Sequence, residues 1–361
     1  ASPNITDTLF QRIPGVSLSD PNGNSAQQDI RYRGFAASPL QGTPQGMAVY
    51  MNGIRLNEAF GDTVNWDLIP TNAIQQADVC TSNPIFGLNA LGGAINLQPK
   101  NGFTWHGFEQ EISGGSYGRV QGGLQYGAES GNWSTYFAAQ GMQDKGWRQK
   151  SPTTLGRFYG DVGWRDDKAE FHLFGSVATS SFGVAAATPI EMLNRDWSSV
   201  YTTPQTTQNN TALLGLNGKY ALTDNWTLQG SLYGRFFRQS HVDGNDGDFE
   251  RCSNSSSYAN HLCLEDDGFA RPVPFTGAAA LAFRNQFAIL DANNQPIPCP
   301  PGAGNTCGPV PYGTIDRTNT RSTTFGASLQ ATNDARLFDH GNRFVIGGSI
   351  DRGNTDFNGS S

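Results

Sequence analysis

Two pairs of cysteines could do chemistry, because a close pair of thiols can either oxidise to a disulfide or bind a metal ion. The pairs are Cys252 with Cys263 and Cys299 with Cys307, in a polar region rich in Asn, Pro and Gly. Such close pairs in a loop favour disulfides formed in an oxidising compartment. Zinc is the alternative, although neither pair has CxxC spacing. Cys80 stands alone, and we interpret it as a buried free thiol.

An acidic segment, HVDGNDGDFE at residues 241–250, offers the carboxylates that calcium prefers. Its glycines and glutamate do not fall at the offsets of an EF-hand loop, so we interpret it as a solvated loop. The sequence contains no HExxH motif and no glycine-rich phosphate loop followed by a lysine. We therefore predict no enzyme activity, no cofactor and no metal site.

Composition narrows the class of protein. The formal net charge of the 361 residues is -7, so no basic surface is expected to neutralise phosphates, and we predict no nucleic-acid partner. No run approaches the roughly 20 apolar residues of a membrane-spanning helix, which excludes a helical membrane protein. The 44 glycines and 11% aromatic residues suit a β-barrel, in which only every second strand residue faces lipid.

The first part of the chain, residues 1–102, is predicted to be a small α+β domain with long polar loops. Thr8–Arg12 is a short helical candidate, and Asn52-Gly53 is a strong hairpin signal between Ala48–Met51 and Ile54–Leu56. Long loops on a small scaffold are common places for binding. The turn-rich segment Ala73–Lys100 joins this domain to a different kind of structure.

Residues 103–361 show the period-two alternation of long strands. In Trp226–Arg238, apolar side chains on one face alternate with polar side chains on the other, and we count about nine strands of this kind. Short turns alternate with long loops at about 144–156, 179–210 and 239–321. Short turns at one end and long loops at the other are typical of an outer-membrane barrel. A soluble β-sandwich is the alternative.

Five motifs in the first hundred residues resemble the plug domain of TonB-dependent outer-membrane receptors of the siderophore-receptor type. Their order and spacing carry the resemblance, which extends over the plug and the first nine or so strands. The motifs are LFQRIPGV (residues 9–16), DIRYRGF (29–35), MAVYMNGIRLN (47–57), WDLIP (66–70) and NPIFGLNALGGAINLQPKNG (83–102).

This resemblance implies a mainly β fold, with an α+β plug over residues 1–102 followed by a transmembrane antiparallel β-barrel over residues 103–361. Barrels of the family have about 22 strands, of which about nine are expected here. The family's TonB-contacting segment normally precedes the plug, and we expect it outside these residues.

The implied function is TonB-dependent active transport of a scarce substrate, foremost a ferric siderophore, across the outer membrane of a Gram-negative bacterium. The implied partners are TonB, a ferric-siderophore-type ligand and outer-membrane lipid. The alternatives are uptake of another large ligand (an oligosaccharide, a cobalamin-like molecule or haem), a passive porin, or a β-rich glycan-binding protein. A porin would lack the plug motifs.

The resemblance also implies two sets of functional residues. A plug arginine meets barrel carboxylates in similar receptors, so Arg33 is expected to contact Glu109 and Glu111, which share one face of the first barrel strand. Separate, solvated charges are the alternative. The plug loops at the apex are expected to bind ligand through Gln41, Thr43, Gln45, Asn57, Glu58, Asp62, Asn65 and Trp66.

Overall fold

The computed structural model contains an N-terminal domain followed by long antiparallel strands. It describes residues 4–81, 89–184, 187–246, 249–252, 254–264, 276–291, 293–302, 307, 313–338 and 340–360. Within these ranges, no helix combines the length and the apolar character needed to cross a bilayer.

The N-terminal domain contains one helix and two small sheets. Helix α1 is Ile5–Arg12, and it buries Ile5 and Leu9 against the domain core. The first sheet is antiparallel, in the order β1 (Val16–Ser19), β2 (Asp29–Tyr32) and β3 (Phe35–Ala37). The second sheet contains β4 (Met47–Met51), β5 (Ile54–Arg55), β6 (Ile74–Cys80) and β7 (Gly93–Pro99), in the order β5-β4-β7-β6.

Strand β4 lies at the centre of the second sheet, where it pairs antiparallel with β5 and parallel with β7. Met47, Val49 and Met51 are buried in the core of the domain. Gly93 opens β7 with a φ of +133°, and a Cβ there would lie 2.4 Å from the carbonyl oxygen of Cys80. Only glycine fits that close approach, so this glycine sets the pairing of β6 with β7.

Seven strands follow in chain order, and each pairs antiparallel with the next. Tyr136, Tyr159 and Phe174 are buried against the N-terminal domain, on what we call the inner face, whereas Phe137 and Phe158 are exposed on the outer face. The strands are β8 (Gly107–Gly114), β9 (Val120–Ser130), β10 (Trp133–Asp144), β11 (Thr153–Arg165), β12 (Ala169–Gly183), β13 (Gln205–Ala221) and β14 (Trp226–Asp246). Helix α2 (Ile190–Leu193) lies between β12 and β13.

Residues 244–316 form a second compact unit. It contains β15 (Phe249–Arg251), β16 (Leu262–Leu264) and α3 (Gly277–Asn285). Cys252 is bonded to Cys263 and Cys299 to Cys307, with Cα separations of 4.9 and 5.3 Å. Cys80 is a free thiol, but it is half-buried, whereas the sequence led us to expect full burial.

Two further strands, β17 (Gly313–Asn333) and β18 (Phe344–Ser360), complete a nine-stranded sheet in the order β18-β17-β14-β13-β12-β11-β10-β9-β8. This is the predicted fold class, a small α+β domain with part of an antiparallel β-barrel wall.

The strands run further into the loops than the sequence indicates. The long connections after β10, β12 and β14 span residues 145–152, 184–204 and 247–312, against the predicted 144–156, 179–210 and 239–321. In the added strand residues, inner-face side chains such as Thr207, Asn209 and His241 are as polar as their outer-face neighbours. Hydropathy alternation therefore does not mark these strand ends.

Alkylation measures the state of the thiols. Denaturation without reductant should expose a single reactive thiol, Cys80, since the other four of the five cysteines are in disulfides. Intact mass after iodoacetamide treatment should show one added group before reduction and five after it. The Cys80→Ser variant should add none before reduction. More than one adduct on the unreduced chain would refute the pairing.

Candidate functional site

The contact between the N-terminal domain and the inner face of the sheet contains two buried carboxylates. Asp67 is 0% exposed and lies in a single 3-10 turn, Trp66–Leu68. Glu58 is 4% exposed and lies in the loop after β5. A buried carboxylate is costly unless it is paired and hydrogen-bonded, so the partners of these two groups define the site.

Asp67 accepts hydrogen bonds from both sides of the contact. Its Oδ1 accepts from Nε2 of Gln27 in the N-terminal domain, and its Oδ2 accepts from Oγ of Ser180 on β12 and, at 3.0 Å, from Nδ2 of Asn209 on β13. The backbone carbonyl of Asp67 accepts from Nε of Arg157 at 2.6 Å. Burial raises the pKa of Asp67, while the hydrogen bonds from Ser180 and Asn209 and the charge of Arg157 oppose the rise.

Arg157 brings a buried positive charge from the inner face of β11. It is 3% exposed, and its Nη1 lies 3.4 Å from Oγ1 of Thr71 and 3.3 Å from Oε1 of Gln140. Thr71 in turn donates to Gln140 on β10 at 2.8 Å. Asp67 and Arg157 therefore belong to one polar network that joins the N-terminal domain to four neighbouring strands.

Glu58 forms an ion pair with Arg235 on the inner face of β14. Nη2 of Arg235 lies 2.5 Å from Oε1 of Glu58, and the two side chains are 9% and 4% exposed. Nδ2 of Asn65 donates to the same carboxylate oxygen at 3.1 Å. Burial raises the pKa of Glu58, and Arg235 opposes that rise through its charge and its hydrogen bond.

A chain of amide side chains connects the exposed surface with Asp67. Exposed Gln41 donates to Oε1 of Gln239 at 3.3 Å, and Gln239 donates to Oδ1 of Asn209 at 3.0 Å. Asn209 then donates to Asp67. A loop of the N-terminal domain is thus linked to the buried carboxylate through two residues of the sheet.

Four of the eight predicted ligand residues are buried and bonded within the protein. Glu58 and Asn65 belong to the ion-pair cluster described above. Oδ1 of Asn57 accepts from the backbone N–H of Val49 at 2.8 Å, which fixes the loop to β4. Nε1 of Trp66 donates to the carbonyl of Ala37 at 3.0 Å. These side chains stabilise the folded structure.

The other four predicted ligand residues lie nearer to solvent. Gln41 is exposed, and Thr43 is half-buried. Gln45 is half-buried and bonds the backbone of Ser38 through both amide atoms, at 2.8 and 3.2 Å. Asp62 accepts hydrogen bonds from the side chains of Arg55 and Asn89. Ligand binding by these residues stays a prediction.

The structure places Arg33 on the surface of the N-terminal domain. Its guanidinium lies 5.1 Å from the centre of the Tyr32 ring. Glu109 accepts from Nε2 of Gln125 at 3.0 Å, and Glu111 is exposed on the same strand, β8. No ion pair within the described residues joins Arg33 to Glu109. A contact of Arg33 with these carboxylates stays a prediction.

Sequence reasoning missed Asp67, Arg157 and Arg235. Asp67 does carry a signal, because a carboxylate between the apolar neighbours Trp66 and Leu68 in WDLIP would be costly to bury without a partner. The arginines lie within strands whose alternation assigns them to the inner face. No pattern in one sequence, however, says which acid each arginine meets.

The structure also locates one sequence that resembles a catalytic motif, and the side chains that could bind metal. Gly114–Gly118 (GGSYG) matches the GxSxG pattern of hydrolases, but it forms the turn between β8 and β9 and not a strand-to-helix elbow. No group of three His, Cys, Asp or Glu side chains in the described part of the chain could hold a metal ion.

The comparison with family models identifies the N-terminal domain. Residues 1–94 match the TonB-dependent Receptor Plug Domain. No curated protein sequence matches the chain.

Solved structures similar to this chain include two receptors and a transporter. The pyoverdine receptor FpvA from Pseudomonas aeruginosa, bound to pyoverdine, is 13% identical with a TM-score of 0.66, over 99% of this chain and 44% of that one. The ferric preacinetobactin receptor BauA from Acinetobacter baumannii is 11% identical with a TM-score of 0.58, over 98% and 45%. The copper transporter OprC is 15% identical with a TM-score of 0.60, over 99% and 44%. The chain therefore spans less than half the length of these proteins.

The Arg235→Gln variant tests the buried ion pair. Removing one partner of a buried pair costs about 3–5 kcal/mol of unfolding free energy, because the other charge stays buried alone. The pKa of Glu58 in the folded state is raised, and loss of Arg235 raises it further, so the native state holds this proton more tightly than the unfolded state does. Stability of the variant should then fall as pH rises through that pKa.

Denaturant unfolding in detergent, followed by tryptophan fluorescence at pH 5 and pH 8, measures this effect. The loss in Arg235→Gln relative to the natural protein should be larger at pH 8. The double variant Glu58→Gln/Arg235→Gln is the control, since neither charge of the pair remains, and its difference from the natural protein should change less with pH than that of the single variant. An equal loss at both pH values in the single variant would contradict the assignment.

The Asp67→Ala variant tests the second carboxylate. It leaves Gln27, Ser180 and Asn209 without their acceptor, which should destabilise the contact by about 1–3 kcal/mol. Amide hydrogen exchange should accelerate in Trp66–Leu68 and in the facing part of β12. Asp78→Ala is the control, because Asp78 accepts only from Gln76 and Gln98 of the N-terminal domain in the bonds described. Unchanged exchange in Asp67→Ala would count against the network.

Proposed function

We propose that this chain, whose residues 1–94 are a TonB-dependent receptor plug domain and whose strands have the fold of such receptors, takes part in TonB-dependent active transport across the outer membrane. The substrate is a ferric siderophore. It binds on the side of the long loops, and work delivered by TonB from the periplasm rearranges the plug so that the substrate can pass.

One observation carries the proposal, namely that the plug is held to the inner face of the wall by buried polar and charged contacts. Glu58 meets Arg235, and Asp67 meets Ser180, Asn209 and Arg157. The net contribution of buried ion pairs is small, since attraction only offsets the cost of desolvation. Water can replace such partners when the plug is displaced. The contact therefore fixes the position of the plug on the wall, and yet mechanical work can separate the two.

The nature of the similar structures favours an iron chelate as the substrate. FpvA is described with pyoverdine bound, and BauA is named a ferric preacinetobactin receptor. OprC is named a copper transporter, so the same fold also serves another metal. An oligosaccharide, a cobalamin-like molecule and haem remain alternative ligands. A passive porin is disfavoured, because the plug packs against the wall that would line its pore.

Ligand recognition is assigned to the plug loops that face the long-loop end. Of the eight candidate residues, Gln41 is exposed, and Thr43, Gln45 and Asp62 are half-buried. Gln41 is also the start of the amide chain that ends on Asp67. TonB would engage the segment that precedes the plug, and lipid would surround the outer face of the sheet.

Uptake of radiolabelled ferric siderophores under iron limitation tests the proposal. Deleting the full-length gene should abolish uptake of at least one ferric siderophore, and restoring the gene should recover it. A strain without TonB should show the same loss, because the transport step requires energy. Unchanged uptake of every ferric chelate would remove the siderophore, and uptake that persists without TonB would refute active transport.

A further inference from the structure

The segment that joins the plug to the first strand of the wall, residues 101–106, lies directly on the inner face; we call it the linker. Gly102 is buried, and a Cβ there would lie 2.5 Å from the carbonyl oxygen of Thr135 on β10. On β9, a Cβ at Gly127 would overlap the carbonyl oxygen of Trp105. The backbone of the linker can therefore approach the strands only where glycine leaves room.

Phe103 is the side chain through which the linker contacts β11 and β12. Its ring covers Gly163, where a Cβ would lie 2.7 Å from Cε2 of Phe103. The guanidinium carbon of Arg165 lies 4.1 Å from the centre of the ring. The ring of His172, which pairs with Gly163 in the sheet, lies edge-on to Phe103 with the two centres 5.8 Å apart. The position of Phe103 therefore depends on the orientation of the His172 ring.

His172 has a carboxylate at each of its ring nitrogens. Nδ1 lies 2.9 Å from Oδ1 of Asp161, and Nε2 lies 3.1 Å from Oε1 of Glu170. The side chains of His172 and Asp161 are 10% and 3% exposed. Nζ of Lys219 lies 2.9 Å from Oε2 of Glu170, which favours the ionised carboxylate. A neutral imidazole has one N–H and can donate to one of these acids, whereas an imidazolium donates to both. Both contacts are hydrogen bonds only when His172 carries the second proton.

The other titratable and charged groups around this site have partners of their own. In the sheet, the residue opposite His172 on β13 is the uncharged Asn217. In the contacts described, His172 is the one side chain that meets both Asp161 and Glu170. The neighbouring groups are Glu129, which forms ion pairs with Arg165 at 2.6 Å and with His106 at 3.3 Å, and Tyr159, whose hydroxyl accepts from Nδ2 of Asn52 at 2.9 Å.

Loss of the proton from His172 would change the contact with the linker. The lone pair of one ring nitrogen would then face a carboxylate oxygen, and the repulsion would turn the imidazole away from that acid. Phe103 lies against the same ring and would lose its fixed neighbour. This end of the wall carries the short turns at 131–132 and 166–168, which are periplasmic in such barrels.

We propose that His172, protonated between Asp161 and Glu170, is a proton-dependent anchor for the linker. The imidazolium fixes Phe103, and with it the C-terminal end of the plug, on the wall. The anchor is present while His172 holds its proton and is lost as pH rises through the titration of this group. Its part in transport rests on the proposed function: one end of the plug stays on the wall while TonB displaces the other. His172 is a positioning residue that acts through Phe103.

Fluorine NMR of the full-length receptor in detergent, with 4-fluorophenylalanine in place of Phe103, tests the anchor. Between pH 5 and pH 10 the signal should change in one titration step as His172 loses its proton. His172→Gln should abolish the step, because the amide resembles neutral histidine in shape and does not titrate. The matched control is His106→Gln, which removes an exposed histidine of the same end of the wall and should leave the step unchanged.

A second variant tests the acids, and a second fluorine position tests the location. Glu170→Gln keeps His172 but removes one negative charge beside it, so the step should move to lower pH by about one unit. The label in place of Phe158, which is exposed on the outer face, should show no step. A step that persists in His172→Gln, or no step with the natural His172, would overturn the inference.

Ferric-siderophore uptake separates this inference from the proposed function. His172→Gln should lower the rate of uptake at pH 6, where the natural protein holds the proton, and an unchanged rate would refute the part of the anchor in transport. A titration step without uptake of any ferric siderophore would support the anchor and refute the transport proposal. Uptake by the natural protein without a titration step would do the reverse.

Discussion

The structure depends on burying two plug carboxylates against the barrel wall. Neither Asp67 nor Glu58 could be buried in the plug alone, because a desolvated carboxylate needs donors or a counter-charge. The wall supplies them from β11, β12, β13 and β14, through Arg157, Ser180, Asn209 and Arg235. Each of these side chains must lie on the inner face at the level of its partner in the plug. The register of the four strands and the position of the plug are therefore fixed together.

This constraint explains why the inner and outer faces of the wall differ in side-chain composition. The inner face combines aromatic side chains packed on the plug core, such as Tyr136, Tyr159 and Phe174, with the polar partners of the plug carboxylates. The outer face is apolar over its middle and polar towards the loops. Alternation along each strand allows one segment to satisfy both environments, since neighbouring residues face opposite ways.

Much of the fold could be predicted because its signals are local. The Asn52-Gly53 hairpin forms as predicted, and both residues have the positive φ that such a two-residue turn requires. The alternation in Trp226–Arg238 lies within one strand, β14.

The site could not be predicted in the same way. Glu58 and Arg235 are 177 residues apart in the sequence, and only the three-dimensional fold specifies that they meet. Buried ligand candidates such as Asn57 show the same limit, since a polar residue in a loop motif can bond its own backbone.

The position of Gln27 has a mechanical consequence. It lies in the segment between β1 and β2, which are antiparallel neighbours, and its amide occupies Oδ1 of Asp67. The parallel pairing of β4 with β7 belongs to a different sheet. A force applied to the chain on the N-terminal side of α1 would therefore act on the first sheet before it acts on the second. Separation of β1 from β2 would move Gln27 away from Asp67. A force at one end of the plug would then leave Oδ1 of Asp67 exposed at the wall without its hydrogen-bond donor.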